Sequence, residues 1–387
     1  MTSRNYSVPA IIVGGGLNAL GIVRSLGNEG VPLIVLCNDL KLPAMRSRFG
    51  RKVFIPQLEG SSLIDNLLEL TKEFSTPAIL FVTEEKTVIT VSEYRERLST
   101  FFLIRLPQHE RLMQLMHKQG FYELAEINNS PVPKTISLRS TDDLALVSKL
   151  KLPCILKPGK KDYAYGARFK KAYKVNSVSD ITERYKEIQP VLSDMVVQEW
   201  IEGADSEIYF CLQYIGKDGA IVSSFVGRKI RSWPPNIGGT ASCTIADEGA
   251  QVLHETTRLF FQQVGFTGMG SMEYKRDNRD GLFYMVEPTV SRTDFQEEVA
   301  TINGVNIPLA AYRYELGLPQ LARHDLVSPS IWRDPLSDKW SLEEGNGAPD
   351  KRSRSHIVFD AYWRWNDPLP WLDFMINRLV SRLASKR

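Results

Sequence analysis

The chain has 387 residues, 43% hydrophobic and 24% charged, a composition typical of a globular protein of two or three domains. Its formal net charge of +3 gives no indication of a nucleic-acid partner, and no run of Lys or Arg lies beside a set of aromatic residues. The four cysteines form no CxxC pair, and no secretory segment precedes the first apolar run, which favours a cytoplasmic protein. Its apolar stretches are too short to predict a membrane-spanning helix.

The first element in the chain is an apolar strand that starts at Ala10 and is followed by a glycine turn and an amphipathic helix. Further buried strands are predicted at residues 32–37 and 78–82, the pattern of a parallel sheet with helical crossovers. We therefore predict a Rossmann-like domain over residues 1–112. This unit belongs to the α/β class.

The glycine turn carries Gly14, Gly16 and Gly21, and the last of these stands two positions too late for GxGxxG. Asp39 only loosely meets the position of a ribose-binding acid. The favoured interpretation is a turn that lets strand and helix pack closely. An NAD-dependent oxidoreductase that uses this turn is the alternative.

The middle of the chain begins with a long predicted helix, residues 112–128, which contains Lys118. An apolar strand at residues 152–158 then delivers Lys157 near its end. The basic, glycine-containing loop 159–166 fits either a cover over phosphates or a solvated hairpin tip. Lys118 and Lys157 therefore make this region a candidate anion-binding site.

Further along, an apolar strand at residues 195–199 ends in an acidic turn, and a second strand starts after Ser206. Two more strands, residues 270–275 and 283–287, are joined by a polar turn and predict a hairpin. Glu273 and Glu287 would face each other across it. Two neighbouring carboxylates suit Mg²⁺, although such a pair alone is more often a solvated surface.

The ordered set of a strand-ending lysine, the Gln-Glu-Trp-Ile-Glu-Gly strand and the Met-Glu-Tyr-Lys-Arg-Asp hairpin resembles the ATP-grasp superfamily. The similarity is greatest to its carbamoyl-phosphate-synthase-like and carboxylate–amine ligase branch. The resemblance implies an ATP-grasp domain over residues 113–325, with two α+β subdomains and ATP between them. It also implies the following nucleotide contacts: Lys118 and Lys157 to the phosphates, the Gln198, Glu199, Trp200 and Ile201 segment to the adenine, and Glu207 to the ribose.

The resemblance further implies that Glu273 and Glu287 bind Mg²⁺. Members of the family usually continue Glu-x-Asn-Pro-Arg, whereas Glu287 is followed by Pro-Thr-Val-Ser-Arg. Counting from Glu273 places Thr289 at the Asn position, where its hydroxyl would be the third ligand. Anchoring instead on the Val-Ser-Arg sequence shifts the pairing by two and puts Glu287 itself there. Both alignments keep Glu287 near the metal.

Between these anchors, Arg228, Lys229 and Arg231 precede a Pro- and Gly-rich loop that includes Gly238 to Thr240. They form either a surface charge cluster or, with Arg292, a set of cations that stabilises phosphoryl transfer to a carboxylate. The loop would then gate the acceptor pocket. The predicted activity is an ATP- and Mg²⁺-dependent ligase, of the type that forms C–N bonds, which joins a small carboxylate to an amine through an acyl phosphate, with amino acids among the candidate substrates. A noncatalytic ATP-binding protein is the other alternative.

The last part, residues 326–387, is predicted to be a Trp-rich extension that wraps back onto the ligase core. A polar linker at residues 345–354 interrupts it, and residues 370–383 have the apolar spacing of an amphipathic helix with Arg on the other side. That pattern is shared by docking helices and by helices that lie weakly on membrane surfaces. A homodimer is compatible with the sequence.

Overall fold

The structure is a computed structural model that describes residues 6–160, 162–294, 296–321, 328–345 and 355–384. Its first unit is a parallel five-stranded sheet in the order β3-β2-β1-β4-β5. The strands are β1 (Ala10–Val13), β2 (Leu33–Cys37), β3 (Arg51–Phe54), β4 (Ala78–Val82) and β5 (Phe102–Leu103). The helices are α1 (Leu17–Gly27), α2 (Pro43–Arg46), α3 (Gly60–Thr71), α4 (Glu85–Glu93) and α5 (Arg95–Leu98). Every residue of β1, β2 and β4 is buried, which confirms the Rossmann-like prediction.

Close packing explains the first two glycines of the turn after β1. Gly14 has φ +126°, and a Cβ there would lie 2.0 Å from Thr83 Oγ1. A Cβ on Gly15 would lie 2.6 Å from Cys37 Sγ. Side chains at these positions would collide with the neighbouring strands, so the turn has a packing reason for its glycines without any bound cofactor.

The predicted helix over residues 112–128 is wrong in one respect, because it is two helices. They are α6 (His109–Met116) and α7 (Lys118–Ile127), and His117 between them is extended, with φ −88° and ψ 125°. The turn is tight, since a Cβ on Gly120 would lie 2.5 Å from the Gln114 carbonyl oxygen. The break places Lys118 at the first position of α7, where its backbone N–H donates to the Gly159 carbonyl at 3.0 Å.

A smaller, antiparallel sheet follows in the order β6-β9-β7-β8 and has its own apolar core. Its elements are β6 (Thr135–Leu138), β7 (Cys154–Pro158), β8 (Tyr173–Val175), β9 (Met195–Glu199), α8 (Tyr163–Gly166), α9 (Val178–Ile188) and a 3-10 helix (Thr141–Lys149). The basic loop after β7 contains the short helix α8, which is capped by the Asp162 carboxylate. Lys161 lies outside the described residues.

The third and largest sheet has seven strands in the order β14-β13-β10-β11-β12-β15-β16. The strands are β10 (Ile208–Ile215), β11 (Ile221–Trp233), β12 (Gly239–Ile245), β13 (Gly268–Arg276), β14 (Phe283–Val290), β15 (Ser330–Arg333) and β16 (Ile357–Asp360). The helices are α10 (Ala250–Gln263), α11 (Gln296–Ile302), α12 (Ile307–Glu315), α13 (Pro335–Glu343) and α14 (Leu369–Ala384), with a 3-10 helix at Asp205–Glu207. The predicted hairpin is β13–β14, and Glu273 is the cross-strand partner of Glu287.

The cationic run, for which a surface charge cluster was one of two alternatives, lies inside strand β11, where Arg228 and Lys229 are buried. Gly239 and Thr240, expected in a gating loop, begin β12 and pair with Trp233 and Ser232. Gly238 stands in the tight connection, because a Cβ there would lie 2.0 Å from the Trp233 carbonyl carbon. This region is therefore a β-hairpin turn rather than a long loop.

The C-terminal segment returns to the rest of the chain. Strands β15 and β16 extend the large sheet, α13 packs on β11 and β12, and α14 packs on α2 of the first unit. Trp332 is 1% exposed, and its indole N–H donates to Glu298 at 2.8 Å. The divisions at residues 112 and 325 stay predictions, but residues on both sides of the second share one sheet. Residues 346–354 of the predicted linker lie outside the described ranges.

Candidate active site

Two carboxylates and two lysines meet on the β13–β14 hairpin. Glu273 Oε2 lies 2.7 Å from Lys229 Nζ, which comes from β11 of the same sheet. Glu287 Oε1 lies 3.5 Å from Lys118 Nζ, which comes from the start of α7. The Glu273 and Glu287 side chains are 26% and 51% exposed, so both reach solvent on one face of the hairpin, the candidate cleft. The predicted pair thus exists, and each member already has a cation beside it.

Lys157 reaches the same region from the buried end of β7. Its ammonium donates to Gln198 Oε1 at 3.0 Å and to the Tyr122 hydroxyl at 3.1 Å. The Tyr122 hydroxyl donates in turn to the Val286 carbonyl at 2.8 Å, which ties α7 to β14. Both partners of Lys157 are neutral, so its charge has no directly bonded carboxylate.

The excess of lysines over carboxylates in this region shifts the pKa values of several groups. Burial, with the neighbouring Lys118, lowers the pKa of Lys157 to about 8. Lys118, followed by Lys171 and Lys157, outweighs burial and lowers the pKa of Glu287 to about 2. The Glu287 carboxylate in turn raises the pKa of Lys118. Three lysines therefore act on one carboxylate, and the positive surplus favours a further anion in the cleft.

The predicted adenine segment lies where the small sheet passes into the large one. The Gln198 side-chain amide donates from Nε2 to Thr135 Oγ1 at 2.8 Å. Glu199 Oε1 accepts from the Lys151 backbone N–H, also at 2.8 Å. The Trp200 backbone N–H donates to the Pro153 carbonyl at 3.0 Å. Ile201 is buried. These bonds fix the backbone of the segment.

The Trp200 ring has two ammonium groups near it, which sequence reasoning missed. Lys174 Nζ lies 4.4 Å and Lys275 Nζ 4.7 Å from its centroid, within the range of a cation–π contact. Lys275 follows Glu273 by two positions along β13, so strand alternation gives the two side chains the same face and could have identified it. Glu207 is half-buried at the end of the 3-10 helix that leads into β10.

The four cations predicted to stabilise the transferring phosphoryl group are not brought together. Only Lys229 contacts the glutamate pair. Arg228 Nε donates to Asp247 Oδ1 at 3.0 Å, away from that pair. Arg231 is held by α13 through a bidentate contact to Asp338, at 2.6 and 2.9 Å.

Arg292, the fourth predicted cation, follows the end of β14. Its guanidinium donates to the Thr293 carbonyl at 3.2 Å, and its side chain is half-buried. The preceding Ser291 has φ +57°, a left-handed conformation that redirects the chain after the strand. The segment also reaches the first unit, because Asn18 Nδ2 donates to the Thr293 carbonyl at 2.6 Å. The glycine turn and the end of the hairpin are therefore neighbours.

A metal at the hairpin would find few protein ligands. Thr289 stands two positions beyond Glu287 on β14 and is the cross-strand partner of Ser271, so it shares the face of the glutamate pair. Across the described residues, no group of three or more His, Cys, Asp or Glu side chains is arranged to hold a metal ion. A cation here would need oxygen ligands from elsewhere, which is how Mg²⁺ usually binds, with one or two carboxylates plus phosphates.

Comparisons with known proteins agree with this architecture. No protein-family model matches the chain. A D-aspartate ligase of Enterococcus faecium (strain Aus0004) is 24% identical over 322 residues, covering 77% of this chain and 74% of that protein.

Among solved structures, the N5-carboxyaminoimidazole synthetase of Staphylococcus aureus complexed with ADP has a TM-score of 0.66 at 16% identity, covering 86% of this chain and 83% of the other. The biotin carboxylase domain of 2-oxoglutarate carboxylase from Hydrogenobacter thermophilus, in complex with MgADP, ADP and bicarbonate, has a TM-score of 0.65 at 12% identity, covering 85% and 74%. These similarities extend over all three sheets, since they cover more than four-fifths of the chain.

Proposed function

We propose that the chain is an ATP-driven carboxylate–amine ligase of the ATP-grasp superfamily, which its similarity to the D-aspartate ligase and its shared fold with the two ADP-bound enzymes support. A carboxylate oxygen of the substrate attacks the γ-phosphorus of ATP and releases ADP. The amine nitrogen then attacks the acyl phosphate carbon and releases phosphate, and the amine gives up its proton to solvent. The product is an amide or peptide-like bond, and no covalent enzyme intermediate is required.

The observation that carries this proposal is the convergence of Lys118, Lys157 and Lys229 on the Glu273 and Glu287 pair. A solvated carboxylate pair would have no reason to gather buried lysines, because burying an ammonium group is costly. A nucleoside triphosphate would give Lys157 the counter-charge that its neutral partners, Tyr122 and Gln198, do not supply.

Within this proposal, Lys118 and Lys157 hold the phosphates, and the Gln198, Glu199, Trp200 and Ile201 segment holds the adenine. Its fixed backbone favours this, since hydrogen-bonding groups that are already positioned lose little entropy on binding. Glu207 is proposed to bind the ribose hydroxyls. Tyr122 is proposed as a positioning residue, because its hydroxyl accepts from the Lys157 ammonium and donates to the Val286 carbonyl. Gln198 also accepts from Lys157, beside its proposed place in the adenine segment.

Mg²⁺ fits the donor set of Glu273, Glu287 and the Thr289 hydroxyl, which are hard oxygen ligands on one face of the hairpin. When bound, the ion would neutralise charge on the phosphates and make the phosphorus a better electrophile. Lys229 shares Glu273 with that site. Burial alone would lower the pKa of Lys229, but Glu273, with Asp294 and Asp205, raises it, so the lysine stays charged.

Among the predicted catalytic cations, Lys229 and Arg292 are the two that we propose act on the reacting groups. Lys229 borders the glutamate pair, and Arg292 lies between the hairpin and the glycine turn of the first unit. Both would draw an anionic carboxylate toward the phosphates. Arg228 and Arg231 remain candidates by sequence only, because Asp247 and Asp338 accept their hydrogen bonds.

The substrates are proposed to be small molecules, a carboxylate and an amine, and the name of the E. faecium relative makes aspartate the first to test. The four cysteines are free and buried, which suits the reducing cytoplasm where we expect the enzyme to act. No nucleic acid is expected among its partners.

The test is ADP release by the purified full chain with Mg²⁺, ATP and a panel of amino acids and other carboxylates. Substrate carboxyl groups labelled with ¹⁸O should transfer one labelled oxygen to the released phosphate, which only an acyl phosphate route explains. Hydroxylamine should trap the intermediate as a hydroxamate. Lys157→Ala and Glu287→Ala should both abolish ADP release, whereas Glu255→Ala, an exposed glutamate on α10, should leave it unchanged.

Two results would overturn the proposal. ATP binding without ADP release from any carboxylate and amine pair would favour the noncatalytic ATP-binding alternative. Tight binding of NAD and none of ATP would favour the oxidoreductase alternative, against the packing reason for Gly14 and Gly15.

A further inference from the structure

Helix α14 has one face that the described protein leaves uncovered. Leu372, Ile376, Leu379 and Leu383 recur at spacings of four, three and four residues, so they form one stripe along the helix. These side chains are 43%, 58%, 56% and 68% exposed. Val380, on the border of the stripe, is 60% exposed. A stripe of this length is unusual on a surface that faces only water.

The helix is nevertheless firmly attached by its other side. Phe374 stacks on Tyr362 with ring centroids 4.2 Å apart, and Trp371 packs edge-on against Trp363 at 5.2 Å. Asp373 forms an ion pair at 3.1 Å with Arg46 on α2. The fold thus holds the helix against the first unit and presents its apolar stripe outward.

An exposed tryptophan precedes the helix. Trp365 lies in the turn just before α14 and is 88% exposed, and its ring centroid lies 5.2 Å from that of Trp363. Leu369, at the start of the helix, is 49% exposed. Exposed tryptophan beside aliphatic side chains is typical of the boundary between water and lipid, where the indole places its ring in the headgroup region.

The charge of this segment is positive. Residues 374–387 contain the cations Arg378, Arg382, Lys386 and Arg387 and no acidic residue. The one nearby carboxylate on the helix, Asp373, is already paired with Arg46. By sequence the segment carries four positive charges, of which Arg378 lies among the described side chains of α14.

We propose that α14 and Trp365 dock the enzyme onto an anionic phospholipid bilayer, with the helix lying in the plane of the surface. None of the described helices is long and apolar enough to cross a membrane, so the contact is peripheral. The cations decide between a lipid surface and a second copy of the chain. Around a twofold axis two copies would bring like charges together, whereas anionic headgroups provide the opposite charge.

The experiment uses the full chain and vesicles of phosphatidylcholine with and without phosphatidylglycerol, measured by co-sedimentation. Wild-type protein should sediment with the vesicles that contain phosphatidylglycerol, and added salt should weaken this. Ile376→Ser with Leu379→Ser should lower the partition coefficient at least about tenfold, because both side chains insert. Arg378→Gln should lower it about fivefold, the share of one basic residue at an anionic surface.

The matched control alters the polar side of the same helix. Asn377 and Ser381 are exposed there, and Asn377→Ser with Ser381→Asn should keep the partition coefficient within about twofold of wild type. Brominated lipids should quench part of the tryptophan emission, and Trp365→Phe should remove that part. The variants change exposed residues, apart from the half-buried Arg378, and circular dichroism should report unchanged folding for each of them.

Three results would overturn the proposal: no sedimentation with either vesicle, equal sedimentation after Ile376→Ser with Leu379→Ser, or a wild-type dimer that those substitutions convert to monomer without vesicle binding. The last would assign the stripe to a second copy. ADP release from soluble substrates is measured without vesicles, so failure of this proposal and failure of the ligase proposal are separate results.

Discussion

Nucleotide affinity should fall as the pH rises through the pKa of Lys157. Burial and the adjacent Lys118 lower that pKa to about 8 in the protein without nucleotide. A bound triphosphate favours the charged form of the lysine and should return the pKa to its usual range above 10. Below pH 8 the lysine is charged before and after binding. Above pH 8 it must take up a proton in order to bind, so binding becomes weaker.

The size of the effect follows from this titration. With a pKa of about 8, Lys157 is almost fully charged at pH 7 and about nine-tenths neutral at pH 9. The dissociation constant for ATP should therefore rise about tenfold between pH 7 and pH 9, equivalent to about 1.4 kcal/mol. The Lys118 and Glu287 pair should not contribute, since their pKa values shift away from this range, upward for the lysine and to about 2 for the glutamate.

Isothermal titration calorimetry with ATP at several pH values tests this prediction. Repeating the titration at pH 9 in buffers of different ionisation enthalpy should reveal uptake of close to one proton per ATP, and at pH 7 much less. Lys157→Arg should keep measurable binding but lose the pH dependence, because arginine stays charged. Lys157→Met should bind weakly at every pH. A pH-independent wild-type affinity, or the same slope in Lys157→Arg, would refute the assignment of the titrating group.

Three more predictions follow from neighbouring groups. Glu287→Gln should lower the rate of ADP release at least about 100-fold, measured beside the exposed control Glu255→Gln. Arg231→Met should lower the free energy of unfolding by about 3 to 5 kcal/mol, because it removes the cation that is paired with the buried Asp338. A second change, Asp338→Leu, should recover most of that loss. Unchanged stability with a raised KM for ATP would instead favour a role at the site. Burial raises the pKa of Glu297 from 4.5 to about 8, so between these values the native state keeps a proton that the unfolded chain loses. In denaturant titrations Glu297→Gln should therefore match the stability of wild type near pH 4.5 and exceed it by up to about 4 kcal/mol near pH 8. A constant difference at all pH values would count against this assignment.

Sequence reasoning predicted the elements whose pattern is local. The strands around Ala10–Val13 and Ala78–Val82 are continuous apolar runs, and the β13–β14 hairpin has a polar turn between two apolar segments. Such patterns depend on neighbours within a few residues. Glu273 and Glu287 were predicted to face each other for the same reason, because the length of the turn sets the register of a hairpin.

The cations of β11 could not be predicted in the same way. Arg228, Lys229 and Arg231 are almost consecutive, yet each pairs with a different acid. Arg228 pairs with Asp247, Lys229 with an acid on β13, and Arg231 with an acid on α13. Their partners are brought in by strands and helices far away in the sequence. A cluster of cations in a buried segment requires acidic or hydrogen-bonding partners. The sequence of that segment does not indicate which residues these partners are, or on which side of the sheet they lie.

Two helix predictions were also incomplete because the deciding contacts are distant in the sequence. The helical pattern of residues 112–128 continues through His117, so only the contact of the Lys118 backbone with Gly159 and that of His117 Nε2 with Asp194, at 2.9 Å, reveal the break. The apolar spacing of α14 was equally clear, but spacing does not tell whether the stripe faces protein or solvent. Tertiary contacts supplied both answers.

Helix α1 connects the C-terminal segment with the candidate active site. Near its end, the buried Arg24 donates to Asp367 at 3.0 Å and to the Ala361 carbonyl at 2.7 Å, which fixes the segment that leads into α14. At its start, Asn18 donates to the Thr293 carbonyl beside Arg292. One rigid helix therefore joins the proposed lipid-binding surface to the segment that would contact the substrate carboxylate. Because the two ends are less than two turns apart along α1, docking on a bilayer would hold the cleft at a fixed orientation to the surface, and a substrate carried by that surface would meet it in the same way each time.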